Sequence, residues 1–253
     1  MTDTNNANFV ETDWLQEHLD APDILVIDAS WHLPDPTAKT VRNAQAEYAN
    51  QRIPGAVFFD LNDIKDETSN LPTMLPSTVK FASKVKKLGI GDGCRIIVYD
   101  TLGLFSAARA WWMFKIMGHT DVAVLNGGLP KWMEEGRPLE DGPARLRTPV
   151  HFTPQFNNAM LAERADVEKA LQADAQQVVD ARPAARFRGE APEPRESLRR
   201  GHMPGSTNVP FANVLTSDRT IKSSAEVTAV LQDAGIDLKK PVITSCGSGV
   251  TAA

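Results

Sequence analysis

The feature that most restricts what this chain can fold into is a repeat. Ile27-Asp28-Ala29 recurs as Val179-Asp180-Ala181, Ile53-Pro54-Gly55 as Met203-Pro204-Gly205, and Leu88-Gly89-Ile90 as Ala234-Gly235-Ile236. Asp180 follows Asp28 by 152 residues, Pro204 follows Pro54 by 150, and Gly235 follows Gly89 by 146. A slow drift of this kind is what loop insertions produce in two copies of one unit. Within the first copy, Ile24-Leu25-Val26-Ile27 reads as a short buried strand ending in the polar turn Asp28-Ala29-Ser30. Apolar positions Val10, Trp14, Leu15 and Leu19 predict a helix before it, and Gln45 to Asn50 predicts one after it. Pro54-Gly55 turns the chain into a strand ending at Phe59, Lys80 to Leu88 is an amphipathic helix closed by Gly89, and Cys94 to Tyr99 is a central strand. A helix over Ser106 to Met117 and a strand over Val122 to Leu125 complete the pattern. Strands alternating with helices predict an α/β fold whose mainly parallel sheets carry helices on both faces. We therefore expect two tandem α/β units, residues 1–140 and 159–253, joined by a polar, Pro-containing linker at 141–158.

Composition narrows the function. A chain of 253 residues with 42% hydrophobic content can build two modest cores. Its net charge of -5 argues against a nucleic-acid footprint, and the basic residues between Arg182 and Arg200 are interleaved with Glu and Pro. No run approaches the ~18 apolar residues of a membrane span, and the polar start lacks a basic-then-apolar signal. A soluble, cytoplasmic protein that contacts neither membrane nor nucleic acid is expected. Cys94 and Cys246 lie in dissimilar settings, and His18, His32, His119, His151 and His202 show no ligand spacing, so neither a disulfide framework nor a metal is predicted.

The chemistry-bearing stretch follows Pro241-Val242-Ile243-Thr244, which reads as a buried strand. It places Cys246 at the strand's mouth in the loop Ser245-Cys246-Gly247-Ser248-Gly249-Val250-Thr251. Glycines there let successive backbone N–H groups turn inward and form an anion cradle, which suits a nucleophilic thiolate. On the residues alone, the same cysteine reads equally well as a small buried side chain at a strand end. The repeat assigns the roles of the two copies: 146 residues before Cys246 stands Asp100, a carboxylate that cannot accept sulfur. The first copy is thus expected to be non-catalytic, with the site in the cleft between the two.

The tandem pattern resembles the two-domain rhodanese superfamily, and the loop from Cys246 to Ala252 is similar to that of 3-mercaptopyruvate sulfurtransferases. The resemblance runs from Trp14 to Ala253. It rests also on Asp28-Ala29-Ser30-Trp31, on Phe105-Ser106-Ala107-Ala108-Arg109-Ala110-Trp111-Trp112, on Asn126-Gly127-Gly128, on Arg186-Phe187-Arg188-Gly189 and on Pro192-Glu193-Pro194-Arg195. It implies an enzyme without a cofactor that moves sulfur from 3-mercaptopyruvate to Cys246, releases pyruvate, and passes the sulfur to cyanide or to a thiol such as thioredoxin. Ser248 is implied as a second catalytic group. Arg186 and Arg195 are implied to grip the keto-acid carboxylate, with Gly247, Gly249, Val250 and Thr251 completing the substrate site. Members preferring thiosulfate carry Arg and Lys at the two positions after the cysteine, where this chain has Gly247 and Ser248. A thiosulfate transferase and a catalytically silent binding module are the alternatives.

Two departures bear on these expectations. Thr73 stands just before Met74-Leu75-Pro76, where the family's relay histidine is expected, and Asp60 or Asp63 is a candidate to approach the loop instead. Family chains also continue past this loop, so the second copy is expected to be incomplete at Ala253, its remainder cleaved, on another chain or removed. Asp28 and Asp180 read as structural, Arg182 and Arg188 as salt-bridge or surface residues, Arg109 as part of a buried salt link, Trp111 and Trp112 as an apolar contact, and His202 as a turn residue.

Overall fold

A computed structural model describes residues 8–33, 40–145, 147–173, 176–195 and 198–253. The first unit contains β1 (Phe9–Val10), α1 (Thr12–His18), β2 (Ile24–Asp28), α2 (Ala44–Asn50), β3 (Val57–Phe58), α3 (Thr78–Lys87), β4 (Arg95–Tyr99), α4 (Ala107–Ile116), β5 (Val122–Leu125) and α5 (Gly128–Glu134). Its strands form one parallel sheet in the order β1-β5-β4-β2-β3. Because side chains alternate along a strand, Leu25, Ile27, Ile96 and Val98 pack on one face with α3 and α4. Val26, Ile97 and Tyr99 pack on the other with Leu15 of α1, Tyr48 of α2 and Trp132 of α5. Burial on both faces is what turns these segments into continuous apolar runs.

The second unit contains α6 (Arg164–Gln172), β6 (Gln177–Asp180), α7 (Ala184–Phe187), β7 (Thr207–Asn208), α8 (Ser224–Asp233) and β8 (Val242–Ser245), with a parallel sheet in the order β7-β6-β8. Its register reproduces that of the first. Asp28 pairs with Phe58 and Tyr99, and Asp180 pairs with Asn208 and Ser245. The helices match as well. α3 and α8 each span 10 residues behind a serine N-cap, Ser77 and Ser223, and each is followed by a glycine at positive φ, Gly89 (72°) and Gly235 (83°). The second core gathers Val179, Val209 and Ile236 against α8, while Val242 of β8 is exposed.

The chain between the units does not hang free of them. The Phe152 side chain is buried in the first core, and the Gln155 and Asn157 amides donate to the carbonyls of Met117 and Ile116 (both 2.8 Å). The units also touch directly. Phe105 meets Phe211 edge-on at 5.7 Å, the Ile221 amide donates to Asn126 Oδ1 (2.9 Å), and Val250 is buried within the first unit's core. The expected helix at the start of the chain is preceded by the two-residue strand β1, which pairs with β5. No helix among the described residues is long and apolar enough to cross a membrane.

Candidate active site

The register that sets Ser245 opposite Asp180 and Tyr99 opposite Asp28 makes the next residues, Cys246 and Asp100, structural twins. What surrounds Asp100 shows what this position is built for. Its carboxylate accepts the amides of Leu102, Phe105, Ser106 and Ala107, each at 2.8 Å. Such a ring of N–H groups holds an anion without a counter-ion. In the second unit the same place holds a free thiol. The Gly249 amide donates to Cys246 Sγ at 3.1 Å. Burial of the thiol pushes its pKa up, but the Thr251 hydroxyl and the amides of Ser248, Thr251 and Val250 outweigh it, holding the pKa below the ordinary thiol value.

Gly249 is required by its conformation, and the space beside Gly247 is taken by the tip of the Arg186 side chain. A Cβ at Gly247 would come within 2.8 Å of Arg186 Nη2, and Gly249 has φ +65°, with a Cβ there 3.1 Å from Arg109 Nη1.

Beside Cys246 lies a cavity of about 120 Å³ whose lining includes Phe105, Arg182, Arg186, Arg195, Gly247 and Ser248. It is far smaller than the ~300–1,000 Å³ of pockets that enclose drug-sized ligands, and three guanidiniums give it a cationic wall. Arg186 donates to Glu193 through Nε (3.2 Å) and Nη2. Glu193 also accepts from Arg182 Nη1 (2.9 Å), and Arg182 grips Asp180 through Nε and Nη2. Arg195 donates through Nη2 to the Gly247 carbonyl. Sequence reasoning left Arg182 outside the site. It does form the expected salt bridges, yet it also lines this cavity. A larger cleft of about 1030 Å³ opens on the other side of the loop, between Thr73, Met74, Leu75, Arg109, Trp112 and Leu198. Arg195, Gly247 and Ser248 line both spaces, but Cys246 lines only the small one, which is where sulfur chemistry would take place.

Several expectations need correcting. Asp63 is paired with Lys84, and Asp60 accepts from the Asn62 amide, so neither carboxylate engages the loop. Arg109 has no carboxylate partner among the described residues. Its Nη1 donates to the Gly249 carbonyl (3.0 Å), its Nη2 donates to the Thr73 carbonyl (2.6 Å), and its guanidinium lies over the Trp112 ring at 4.5 Å. Burial lowers its pKa to about 10, opposed by the charge of Cys246. Thr73, at φ +51°, donates its hydroxyl to the Ser248 carbonyl. The Ser248 hydroxyl makes no hydrogen bond among the described residues. Asp28 and Asp180 accept the Ser30 and Arg182 amides, and His202 stacks on Phe187 at 3.8 Å, in line with structural roles. The contacts from Thr73 and Arg109 to the loop join residues 175 and 140 positions apart, a separation at which no local sequence signal acts.

Known proteins resemble this chain in sequence and fold. The model of the rhodanese-like domain matches residues 11–135 and again 163–253. The chain is 44% identical to a 3-mercaptopyruvate sulfurtransferase of Escherichia coli K12 over 97% of its own length and 85% of that protein's. It is 39% identical to the human 3-mercaptopyruvate sulfurtransferase (96% and 82%) and 42% identical to a thiosulfate sulfurtransferase of Rattus norvegicus (96% and 82%). The crystal structure of SseA from Escherichia coli, described as a 3-mercaptopyruvate sulfotransferase, superposes with a TM-score of 0.87 at 43% identity, covering 96% of this chain and 90% of that one. The chain belongs to the rhodanese-like family, among its two-domain 3-mercaptopyruvate sulfurtransferases.

Proposed function

We propose that Cys246 is the sulfur-carrying nucleophile of a double displacement whose donor is 3-mercaptopyruvate. The cradle of amides around its sulfur, at the same register position as the one that holds the Asp100 carboxylate, is the observation that carries this reading. The Cys246 thiolate forms a bond to the donor's sulfur while that sulfur's bond to carbon breaks. The electron pair stays with the carbon skeleton as pyruvate enolate, which takes up a proton. Ser248, which lines the small cavity and whose hydroxyl has no hydrogen bond among the described residues, would donate to the enolate oxygen. An acceptor thiolate then attacks the outer sulfur and returns Cys246 as a thiolate. Cyanide or a dithiol protein of the thioredoxin type fits that second step.

Donor choice follows from charge. Arg186 and Arg195 offer planar forks to a carboxylate, and Gly247 and Ser248 bring no cation toward a second anionic group. The rat thiosulfate sulfurtransferase is as similar in sequence as the mercaptopyruvate enzymes, so thiosulfate is the alternative donor to measure. Residues 159–253 would form the catalytic unit and 1–140 its non-catalytic partner. The two free cysteines suit a reducing compartment such as the cytoplasm.

Initial rates of pyruvate release, with donor and acceptor varied together, test the reading. Parallel double-reciprocal lines and a higher kcat/KM for 3-mercaptopyruvate than for thiosulfate are expected. Intersecting lines would contradict the carried-sulfur mechanism, and no turnover of either donor would favour a silent binding module.

A further inference from the structure

The cradle's orientation is imposed from outside the loop. A peptide unit is planar, so fixing its carbonyl on one side turns the N–H at its other end to the opposite side. Three consecutive units of the loop are fixed in this way. The Gly247 carbonyl accepts from Arg195, the Ser248 carbonyl from the Thr73 hydroxyl, and the Gly249 carbonyl from Arg109 Nη1. The N–H groups at the far ends of these units belong to Ser248, Gly249 and Val250, the amides that face the Cys246 sulfur. Two of the three outer donors, Thr73 and Arg109, come from the first unit.

We infer that Thr73 and Arg109 are positioning residues through which the non-catalytic unit holds the thiolate cradle of its partner in its working geometry. The inference builds on the sulfur-transfer reading but concerns only how the thiolate is held. Two features of these residues go unexplained otherwise. Thr73 is a β-branched residue at positive φ, a conformation that persists only where the surroundings enforce it. Arg109 is 7% exposed, has no acidic partner among the described residues, and leaves its Nε without a hydrogen bond. A buried cation is costly unless an anion answers it, and the nearest role for that anion falls to Cys246, whose charge raises the pKa of Arg109. The other charged groups around the small cavity are Arg182, Arg186 and Arg195. Of these, Arg182 and Arg186 are already paired with Asp180 and Glu193, and Arg195 holds the Gly247 carbonyl. Arg109 is therefore the cation on the first-unit side of the loop whose charge no carboxylate offsets.

The pH dependence of Cys246 alkylation by iodoacetamide, followed on the Cys246 peptide so that Cys94 does not contribute, tests this in the full chain. Arg109→Met and Thr73→Val should move the midpoint upward by about one pH unit, slowing alkylation at pH 7 roughly tenfold. Arg109→Lys keeps the charge but cannot reach both carbonyls, and should fall between Arg109→Met and the parent. Thr73→Ser keeps the donor and should restore the parent midpoint. Far-UV circular dichroism and thermal midpoints establish that each variant is folded. Should Arg109→Met fail to fold, the near-isosteric Thr73→Val and Thr73→Ser pair decides alone. Folded Thr73→Val with an unchanged midpoint, or Thr73→Ser shifted as far as Thr73→Val, would overturn the inference. Alkylation needs no sulfur donor, so a parent protein that failed to take up sulfur would count against the sulfur-transfer reading and leave this result standing.

Discussion

Arg195 holds the loop and lines the small cavity, where Arg186 lies beside it. Arg195 donates one N–H to the Gly247 carbonyl, and its remaining donors make no hydrogen bond among the described residues and can meet a carboxylate in the small cavity. Hydrogen bonds to charged groups contribute about 1.5–3 kcal/mol, so Arg195→Ala should raise KM for 3-mercaptopyruvate on the order of tenfold to a hundredfold. It should affect thiosulfate less, because that donor lacks the planar carboxylate. Initial rates over a range of each donor measure this, and unchanged saturation by 3-mercaptopyruvate would remove Arg195 from the substrate site. Arg186 is tied to Glu193 and so is less free to follow a ligand. Glu193→Gln should loosen Arg186 and Arg182 together and weaken donor binding although Glu193 itself faces no substrate, which the same saturation curves would register. At this scale the sequence singled out Cys246, Arg186 and Arg195, which the structure brings to one cavity, since a cysteine between a strand and a glycine loop carries a local signal. Arg109 and Thr73 were not legible in this way. Their importance comes from contacts made across the whole chain, and a threonine in place of an expected histidine reads on its own only as a loss.

The strand-to-loop element that occurs in both copies places an aspartate at the end of its first strand, and the two copies treat it differently. Asp180 is paired with Arg182. Asp28 is fully buried and, among the described residues, has no cation beside it and no hydrogen-bond partner for its Oδ2. Burial raises its pKa from the ordinary 3.8 to about 6. The sign follows from linkage. With the folded-state pKa above the unfolded one, the contribution of Asp28 to stability is fully present below about pH 4 and is lost as pH rises through about 6. At pH 7 the ionised carboxylate costs on the order of 3 kcal/mol. Asp28→Asn should therefore raise the urea midpoint at pH 7 and bring little gain at pH 4, with the difference between the two proteins isolating this group from the other carboxylates. A difference that did not vary with pH would show that the carboxylate is not neutralised by burial. The central strands, α3 and α4 follow from their apolar periodicity, and α3 also from its serine cap. The strands β1, β3 and β7, two residues each, are defined by pairing with distant partners and leave almost no periodic trace.

Across the whole molecule, duplication followed by divergence accounts for the arrangement. Both copies build an amide cradle at the same register position. One fills it with its own Asp100 carboxylate, and the other holds the Cys246 thiol there. The first copy reaches the loop of its twin through Thr73 and Arg109, and its core encloses Val250. The repeat itself, and the equivalence of Asp100 with Cys246, could be read from spacing because the 146-residue offset survives between the third strands of the two sheets. The interface between the copies could not, because it is made of single residues scattered over both. The most direct test is peptide-resolved mass spectrometry after incubation with 3-mercaptopyruvate. The peptide containing Cys246 should gain about 32 Da, one sulfur atom, removable by cyanide or dithiothreitol, while the peptide containing Cys94 stays unmodified. An added sulfur on Cys94 instead, or pyruvate released with Cys246 replaced by serine, would contradict the account.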